Sequence, residues 1–475
     1  MSGIFKVLML LYLLATVSGC SNMPERQPAE LLPELPQEWR ATPETHAFSD
    51  QHWVESFGDP VLSRLVERAL TYNYNLKSAA ARVDAAVAQA RIDGSGLWPQ
   101  LSFAPGYQYT QIRSAGFGSA QFSVFEAMFN LSWELDVWGR VRAARTASLL
   151  DADASGADYD AARLSLAARV AQNYFALLEA RLQTQVAEQS VTDRSNIARV
   201  TQGRFEQGLV RGLDVRLALT DLSNAKSQLA QAKNQVQQIT RQLEVLLGQY
   251  PADDWSKTAE AIPGLSGSPD FPVHQQTLPD PPGLLPAGLP SDLLARRPDL
   301  VAAFSRLLAA DARLDSARKL MLPRITLTGA GGTRDTALVD LVDPRSAVWN
   351  LFAGIMHPLF TGGRIRGGIQ LNEARVEEAL TRYQDVALNA FREVEQALAA
   401  EEWLREQEKA LREAVEQTEA SHELALYYYR LGFIQILTLL DSYRSNLSAQ
   451  SAHLSVQRQL LHNRINLYLA LGGGI

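Results

Sequence analysis

The chain has one cysteine, Cys20, so it forms no disulfide within itself and no Cys-based zinc site. Beyond residue 20 it has no apolar run of the roughly 18 residues that a membrane-spanning helix needs, which excludes a helical membrane channel or pump. It has no excess of basic charge. The formal charge is −7 and the pI about 5.6, so there is no electrostatic footprint for a nucleic acid. It also lacks the residue patterns of common catalytic sites: no Gly-Lys pair for a phosphate loop, no Gly-x-Ser-x-Gly and no His-Glu-x-x-His. Its seven histidines (His46, His52, His274, His357, His422, His453 and His462) are scattered. An enzyme, a cofactor protein and a metal protein are all disfavoured.

What is present points to folded, elongated architecture. Hydrophobic residues make up 46% and charged residues 20%, ordinary for a folded chain, and 475 residues exceed what one core usually organises. Residues 1–19 read as a signal peptide: Lys6 in a short basic region, then an apolar stretch from about Val7 to Val17. The following Val17-Ser18-Gly19-Cys20 resembles the lipobox of bacterial lipoproteins. That resemblance implies that Cys20 becomes the acylated N-terminus, and that Ser21, where Asp is absent, directs it to the outer membrane. Several acyl chains anchor stably where one does not. Any part that spans a membrane must then be built of strands in a closed barrel.

The organisation is an internal duplication. At a constant offset of 224 residues Pro99 meets Pro323, Gly139-Arg140-Val141-Arg142 meets Gly363-Arg364-Ile365-Arg366, Gly208 meets Gly432, and Leu247-Gly248 meets Leu471-Gly472. The reading is a tether at 20–52, a first repeat at 53–250, a linker at 251–290 and a second repeat at 291–475. The tether carries Pro24, Pro28, Pro33, Pro36 and Pro43, and the linker holds nine of the 21 prolines, which forbids helix there.

Each repeat reads as helix, two strands, long helix, turn, helix. In the first, an Ala-rich helix runs from Val61 to about Asp93. Two alternating strands follow. The second places Phe125, Ala127, Phe129, Leu131, Trp133, Leu135 and Val137 on one parity and mostly polar residues on the other, the pattern of a membrane β-barrel strand. The second repeat shows it less cleanly, at Arg324–Asp335 and Ser346–Phe360. A proline-free stretch from Arg140 to about Gln202 predicts a helix on the order of 90 Å. The returning helix, about Leu213–Leu247, has a heptad seam through Leu222, Ala225, Leu229, Ala232, Val236, Ile239 and Leu243. Its counterpart has Leu440, Leu447, Leu454, Leu461 and Tyr468 at strict sevens. The expected fold is mixed and mainly α: coiled-coil hairpins with four strands per chain. Four strands cannot close a barrel, so several chains must share one, and two, three or more satisfy that arithmetic.

Several motifs in order resemble the outer-membrane factor family, the TolC-like outer-membrane efflux proteins, and within it the OprM/NodT-like lipoprotein branch. They are Trp53 with Phe57-Gly58-Asp59-Pro60, Asn73-Tyr74-Asn75-Leu76, Leu131-Ser132-Trp133-Glu134-Leu135-Asp136, Pro358-Leu359-Phe360-Thr361-Gly362-Gly363-Arg364, and the ending Asn466–Gly474. The match runs from about Trp53 to Gly474. The resemblance implies a homotrimer with a 12-stranded barrel in the outer membrane and an α-barrel across the periplasm. It implies small-molecule efflux through a periplasmic adaptor from an inner-membrane pump of the resistance-nodulation-division type. It implies no cofactor beyond the lipid on Cys20. A duct for type I protein secretion and a lipid-anchored structural coiled coil are the competing readings.

Two sites follow from it. The turns holding Gly208, Leu209 and Val210, and Gly432, Phe433 and Ile434, would dock the adaptor. Leu437 and Asp441, i and i+4 on one helix, would form the periplasmic gate, with Arg444 placed to pair with Asp441. The first repeat has Leu217 where the second has Asp441, so an acidic ring arises from the second repeat alone.

Overall fold

A computed structural model describes residues 24–32, 38–40, 53–114, 118–252, 277–283 and 288–474. Cys20, the signal segment and most of the inter-repeat linker lie outside the described residues. In the first half the order is α1 (Pro60–Tyr72), α2 (Tyr74–Gly94), β1 (Gln100–Ser114), β2 (Gly118–Leu135), α3 (Arg140–Glu206) and α4 (Gly212–Leu246). The second half repeats it as α5 (Pro290–Arg296), α6 (Pro298–Lys319), β3 (Arg324–Asp335), β4 (Ala347–Met356), α7 (Arg364–Leu431) and α8 (Ile436–Ala470). No described helix is long and apolar enough to cross a membrane.

The helix expected from Val61 to Asp93 is broken at Asn73, whose backbone is extended (ψ 126°). Asn73 makes the break tolerable: its Oδ1 accepts the Leu76 N–H at 3.0 Å and its Nδ2 donates to the Leu246 carbonyl at 3.0 Å. Start and end of the repeat are thereby joined. The second repeat has Arg297 at the equivalent position, and its guanidinium donates to the Ala470 carbonyl. The glycine after each return helix seals this junction. A Cβ on Gly248 would lie 2.6 Å from the Tyr72 carbonyl oxygen, and one on Gly472 would lie 3.2 Å from the Arg297 Cα. Both glycines have positive φ, a conformation that only glycine adopts without strain.

At the front of α1, Asp59 caps the backbone N–H groups of Val61 and Leu62 and Pro60 occupies the first turn. The Asp59 carboxylate also accepts the Tyr174 hydroxyl at 2.5 Å. Burial first, then Asp59, pushes the Tyr174 phenol above its ordinary range. Around it Trp53, Leu62, Leu65, Phe175, Leu177, Ile465 and Tyr468 form a buried core, with Trp53 stacked on Tyr468 at 5.7 Å. The motif Trp53…Phe57-Gly58-Asp59-Pro60 is therefore the core and cap of this region.

The long helices exceed the sequence expectation. α3 has 67 residues and α7 has 68, each on the order of 100 Å, against 35 residues in each return helix. The described chain divides into two compact units, both discontinuous. One holds residues 81–157 and 300–386 with all four strands, the other holds 158–299 and 387–475 with both hairpin ends. Each draws on both repeats.

The strands form one antiparallel sheet in the order β1-β2-β3-β4. Its register puts Phe103 opposite Phe129 and Tyr107 opposite Phe125, and continues across Leu131, Gly329 and Leu351. The facing aromatic rings lie 4.9 and 4.6 Å apart. This face is apolar and largely exposed: Leu101, Phe103, Tyr107, Tyr109 and Phe129 are each more than half exposed. The other parity carries Gln108, Asn130, Ser132 and the Arg334–Glu126 ion pair at 3.1 Å. Two strand ends fall short of expectation. β2 stops at Leu135 because Asp136 turns to cap α3, accepting the N–H groups of Val141 and Arg142 at 2.9 Å. β4 stops at Met356, two residues before Pro358, which has no N–H for a ladder. Among the described residues β1 and β4 are the sheet's free edges.

Candidate pore gate and hairpin tips

Each long helix ends in the same turn. Leu209 N–H donates to Arg204 O at 2.9 Å and Gly208 N–H to Phe205 O at 2.9 Å; Phe433 N–H donates to Tyr428 O and Gly432 N–H to Tyr429 O, both at 3.0 Å. These paired bonds need a left-handed residue, supplied by Gly208 (φ 74°) and Gly432 (φ 84°). The next side chain is thereby thrown outward. Leu209 is 63% and Phe433 73% exposed. Val210 and Ile434 are half-buried, and Ile434 packs on a small core of Ile197, Ala218, Tyr429, Leu439 and Leu440. Of the six residues expected at the tips, the structure thus presents Leu209 and Phe433 as the projecting apolar groups.

Sequence reasoning missed the residues that hold the two tips together. Arg204 donates to the Tyr429 carbonyl at 2.6 Å and its guanidinium sits 5.0 Å from the Tyr429 ring centre. The Thr201 and Tyr429 hydroxyls are 3.1 Å apart. Nothing in the spacing of either repeat signals a link between them.

At the start of α8, Leu437 is 56% exposed and Asp441 is exposed one turn later, while Leu439 and Leu440 between them are buried. Leu437 and Asp441 therefore share the solvent face of the helix. Arg444 does not pair with Asp441. Its guanidinium reaches across to Asp221 of α4, at 2.8 and 3.0 Å, and the other oxygen of Asp221 accepts Arg194 Nε at 2.6 Å. Asp221 and Arg194 are 3% and 4% exposed. A buried carboxylate gains more from a guanidinium than an exposed one does, which decides the competition against Asp441. Among the described residues Asp441 makes no ion pair or side-chain hydrogen bond. One signal for this cluster was legible: Asp221 interrupts the buried stripe Val215, Ala218, Asp221, Ala225 with a charge.

Beside this cluster, the Asp193 carboxyl accepts from the Gln189 amide at 2.9 Å. Burial raises its carboxyl above the ordinary range, with Gln189, His422 and Arg194 pulling the other way. The His422 ring lies 4.8 Å from the Tyr443 ring. Burial, and then the charge of Asp193, raises the Tyr443 phenol. The corresponding position in the first repeat behaves differently. Leu213 is 65% exposed like Leu437, but Asp214 is spent as a cap on the Arg211 N–H at 3.1 Å and Leu217 packs on the tip core.

Duplicated hairpins, a sheet with an exposed apolar face and a shared turn at each tip have counterparts among known proteins. The family model described as outer membrane efflux protein matches residues 65–249 and again 289–473. The chain belongs to the outer membrane efflux protein family. Among its relatives in that family, the pyoverdine export outer membrane protein OpmQ of Pseudomonas putida is 32% identical over 90% of this chain and 89% of its own. Outer membrane protein OprJ of Pseudomonas aeruginosa is 34% identical over 97% and 94%. Among solved structures, the outer-membrane channel OprN superposes with a TM-score of 0.85 at 26% identity, covering 96% of this chain and 99% of that one. The open-state MtrE channel of Neisseria gonorrhoeae gives 0.80 at 29%, covering 96% and 98%. This efflux protein is thus an outer-membrane channel protein, mainly helical, with four antiparallel strands per chain.

Proposed function

We propose that this efflux protein is the exit duct of a tripartite efflux system. In this reading three copies close a 12-stranded barrel in the outer membrane, and the helices extend the bore into the periplasm. Acyl chains on Cys20 anchor each chain, and a periplasmic adaptor joins the duct to an inner-membrane pump of the resistance-nodulation-division type. The chain performs no chemistry and needs no cofactor. Relatives named for pyoverdine export and toluene efflux favour small organic solutes as cargo.

The observation that carries this reading is the sheet. Four strands with an exposed apolar face and two free edges have no stable place in water or in lipid unless other strands complete the ladder. Copies of the same chain are the economical source.

The gate reading follows from the exposed face of α8. A ring of Leu437 side chains narrows and dewets the bore, and an Asp441 ring beside it, which no cation among the described residues of its own chain neutralises, concentrates cations. The Arg194–Asp221–Arg444 cluster ties α8 to α4 and so holds the ring closed. Leu209 and Phe433 project for the adaptor. Single-channel recording of the purified protein in planar bilayers tests the duct and the gate. The wild type conducts little, and the Leu437→Ala/Asp441→Ala variant opens with reduced preference for potassium over chloride. No insertion under conditions where a control porin inserts refutes the duct; unchanged conductance in the variant refutes the gate.

A further inference from the structure

The groove between α6 and α7, within the unit that carries the sheet, has a side-chain set that the gate and tips leave unused. It encloses a cavity of about 290 Å³ lined by Arg306 and Arg313 of α6 and Arg375 and Arg382 of α7, with Asn372 and Glu378. Each arginine pair is spaced i, i+7, two turns apart on one helix face, so four guanidiniums converge on one trough. Arg313 is neutralised by Asp151, and Arg306 is engaged within the chain. Arg375 and Arg382 are exposed and, among the described residues, carry no ion pair and no side-chain hydrogen bond. Glu378 is the one carboxylate in the lining.

The internal duplication supplies a control. In the first repeat the positions equivalent to Arg375 and Arg382 are Asp151 and Asp158, and those equivalent to Arg313 and Glu378 are Gln89 and Ala154. The two α7 positions therefore fold with opposite charge, while Arg306 keeps an arginine, Arg82, at its equivalent. The fold does not require Arg375 or Arg382.

The position of the groove says what meets it. The N-terminal segment lies along other faces of these helices: Arg26 pairs with Asp311 of α6, at 3.0 Å for its second bond, and the Tyr383 hydroxyl and Gln384 amide of α7 donate to the carbonyls of Pro28 and Leu31. At 100° per residue, Arg306 and Arg313 stand roughly 140–160° around α6 from Asp311, and Arg375 and Arg382 stand roughly 80–100° around α7 from Tyr383 and 160–180° from Gln384. A tether that begins in the membrane runs over the outside of a barrel, so the groove opens towards the bore; this step rests on the duct reading.

We propose that the α6–α7 groove is a binding site for solutes bearing two or more oxyanion groups, with Arg375 and Arg382 as its ligands. A guanidinium presents a planar fork of donors matched to a carboxylate or phosphate, and two unpaired forks beside two engaged ones favour an anion that spans them. Asn372 adds a neutral amide on the same wall. In the duct, such a site gives anionic cargo a resting point on its way out.

Calorimetric titration of the purified full-length protein with sodium pyrophosphate, and separately with citrate, tests the site and separates phosphate from carboxylate recognition. Wild type binds at least one of the two probes. Arg375→Gln/Arg382→Gln weakens that binding about tenfold or more, since each charged hydrogen bond lost removes a substantial share of the affinity. Glu378→Gln tightens it about threefold to fivefold by removing the opposing charge. The Glu378→Gln arm decides by its sign should the double variant not fold. No binding of either probe by wild type, or equal affinity in wild type and the double variant, overturns the site. Bilayer recordings on the same preparations keep the two readings apart. Binding without conduction overturns the duct and leaves the site standing; conduction without binding does the reverse.

Discussion

Replacing Asp221 by Asn tests whether the Arg194–Asp221–Arg444 cluster closes the channel. The substitution keeps the shape of the side chain and removes its charge. Arg194 is 4% exposed and its other partner is the neutral Ser190 hydroxyl, so with a neutral amide at 221 it becomes a buried charge without a counter-ion. Breaking a buried pair this way costs about 3–5 kcal/mol. The Arg444 side chain is 57% exposed, and its pairing with Asp221 is worth about 1 kcal/mol or less. If the cluster stabilises the closed state by these amounts, Arg444→Gln raises the open-to-closed ratio up to about fivefold and Asp221→Asn raises it by about a hundredfold or more. The Asp221→Asn/Arg444→Gln double variant behaves like Asp221→Asn alone, because Arg444 has already lost the charge that held it. Single-channel open probability at one voltage gives all three ratios. An Arg444→Gln effect as large as that of Asp221→Asn, or effects that simply add, would refute the assignment of a single buried carboxylate as the anchor.

Leu209→Asp and Phe433→Asp change side chains that project from the tips without supporting the core beneath. Each leaves the melting temperature within about 2 °C of wild type and abolishes capture of the cognate adaptor in a pull-down; loss of folding instead would show that the tips are structural. Of the two histidines on α8, His462 makes the protein acid-sensitive. His462 Nε2 donates to the Gln172 carbonyl at 3.0 Å, and burial, then Arg458, lowers its pKa from 6.5 to about 4. The folded chain therefore resists the proton that the unfolded chain accepts. Its contribution is intact above pH 6.5 and is lost as the pH falls from 6.5 towards 4, reaching about 3 kcal/mol. Urea denaturation from pH 7.5 to 4.5 reads this slope, and His462→Gln, which keeps a donor to Gln172, flattens it.

The sequence determined most of the architecture because its signals are local or repeated. Periodicity over dozens of residues marks α3, α7 and their return helices, alternation marks β2, and the 224-residue offset marks the duplication without any knowledge of contacts. Glycine at a helix end is a backbone statement, so the turns at Gly208 and Gly432 were legible too. Where a single residue bonds at long range, the sequence was silent. Asn73 breaks a helix that propensity would continue, because its amide finds a carbonyl 173 residues away. Arg444 has an acidic residue one turn back, yet its partner is Asp221, 223 residues away, because burial and not proximity in sequence sets the strength of an ion pair. The same holds for Arg204 and Tyr429 at the tips, and for the arginines of α6 and α7, which lie far apart in sequence and share one groove in space. Helical period, turn chemistry and repetition are written along the chain; which charges face one another is fixed when the helices pack.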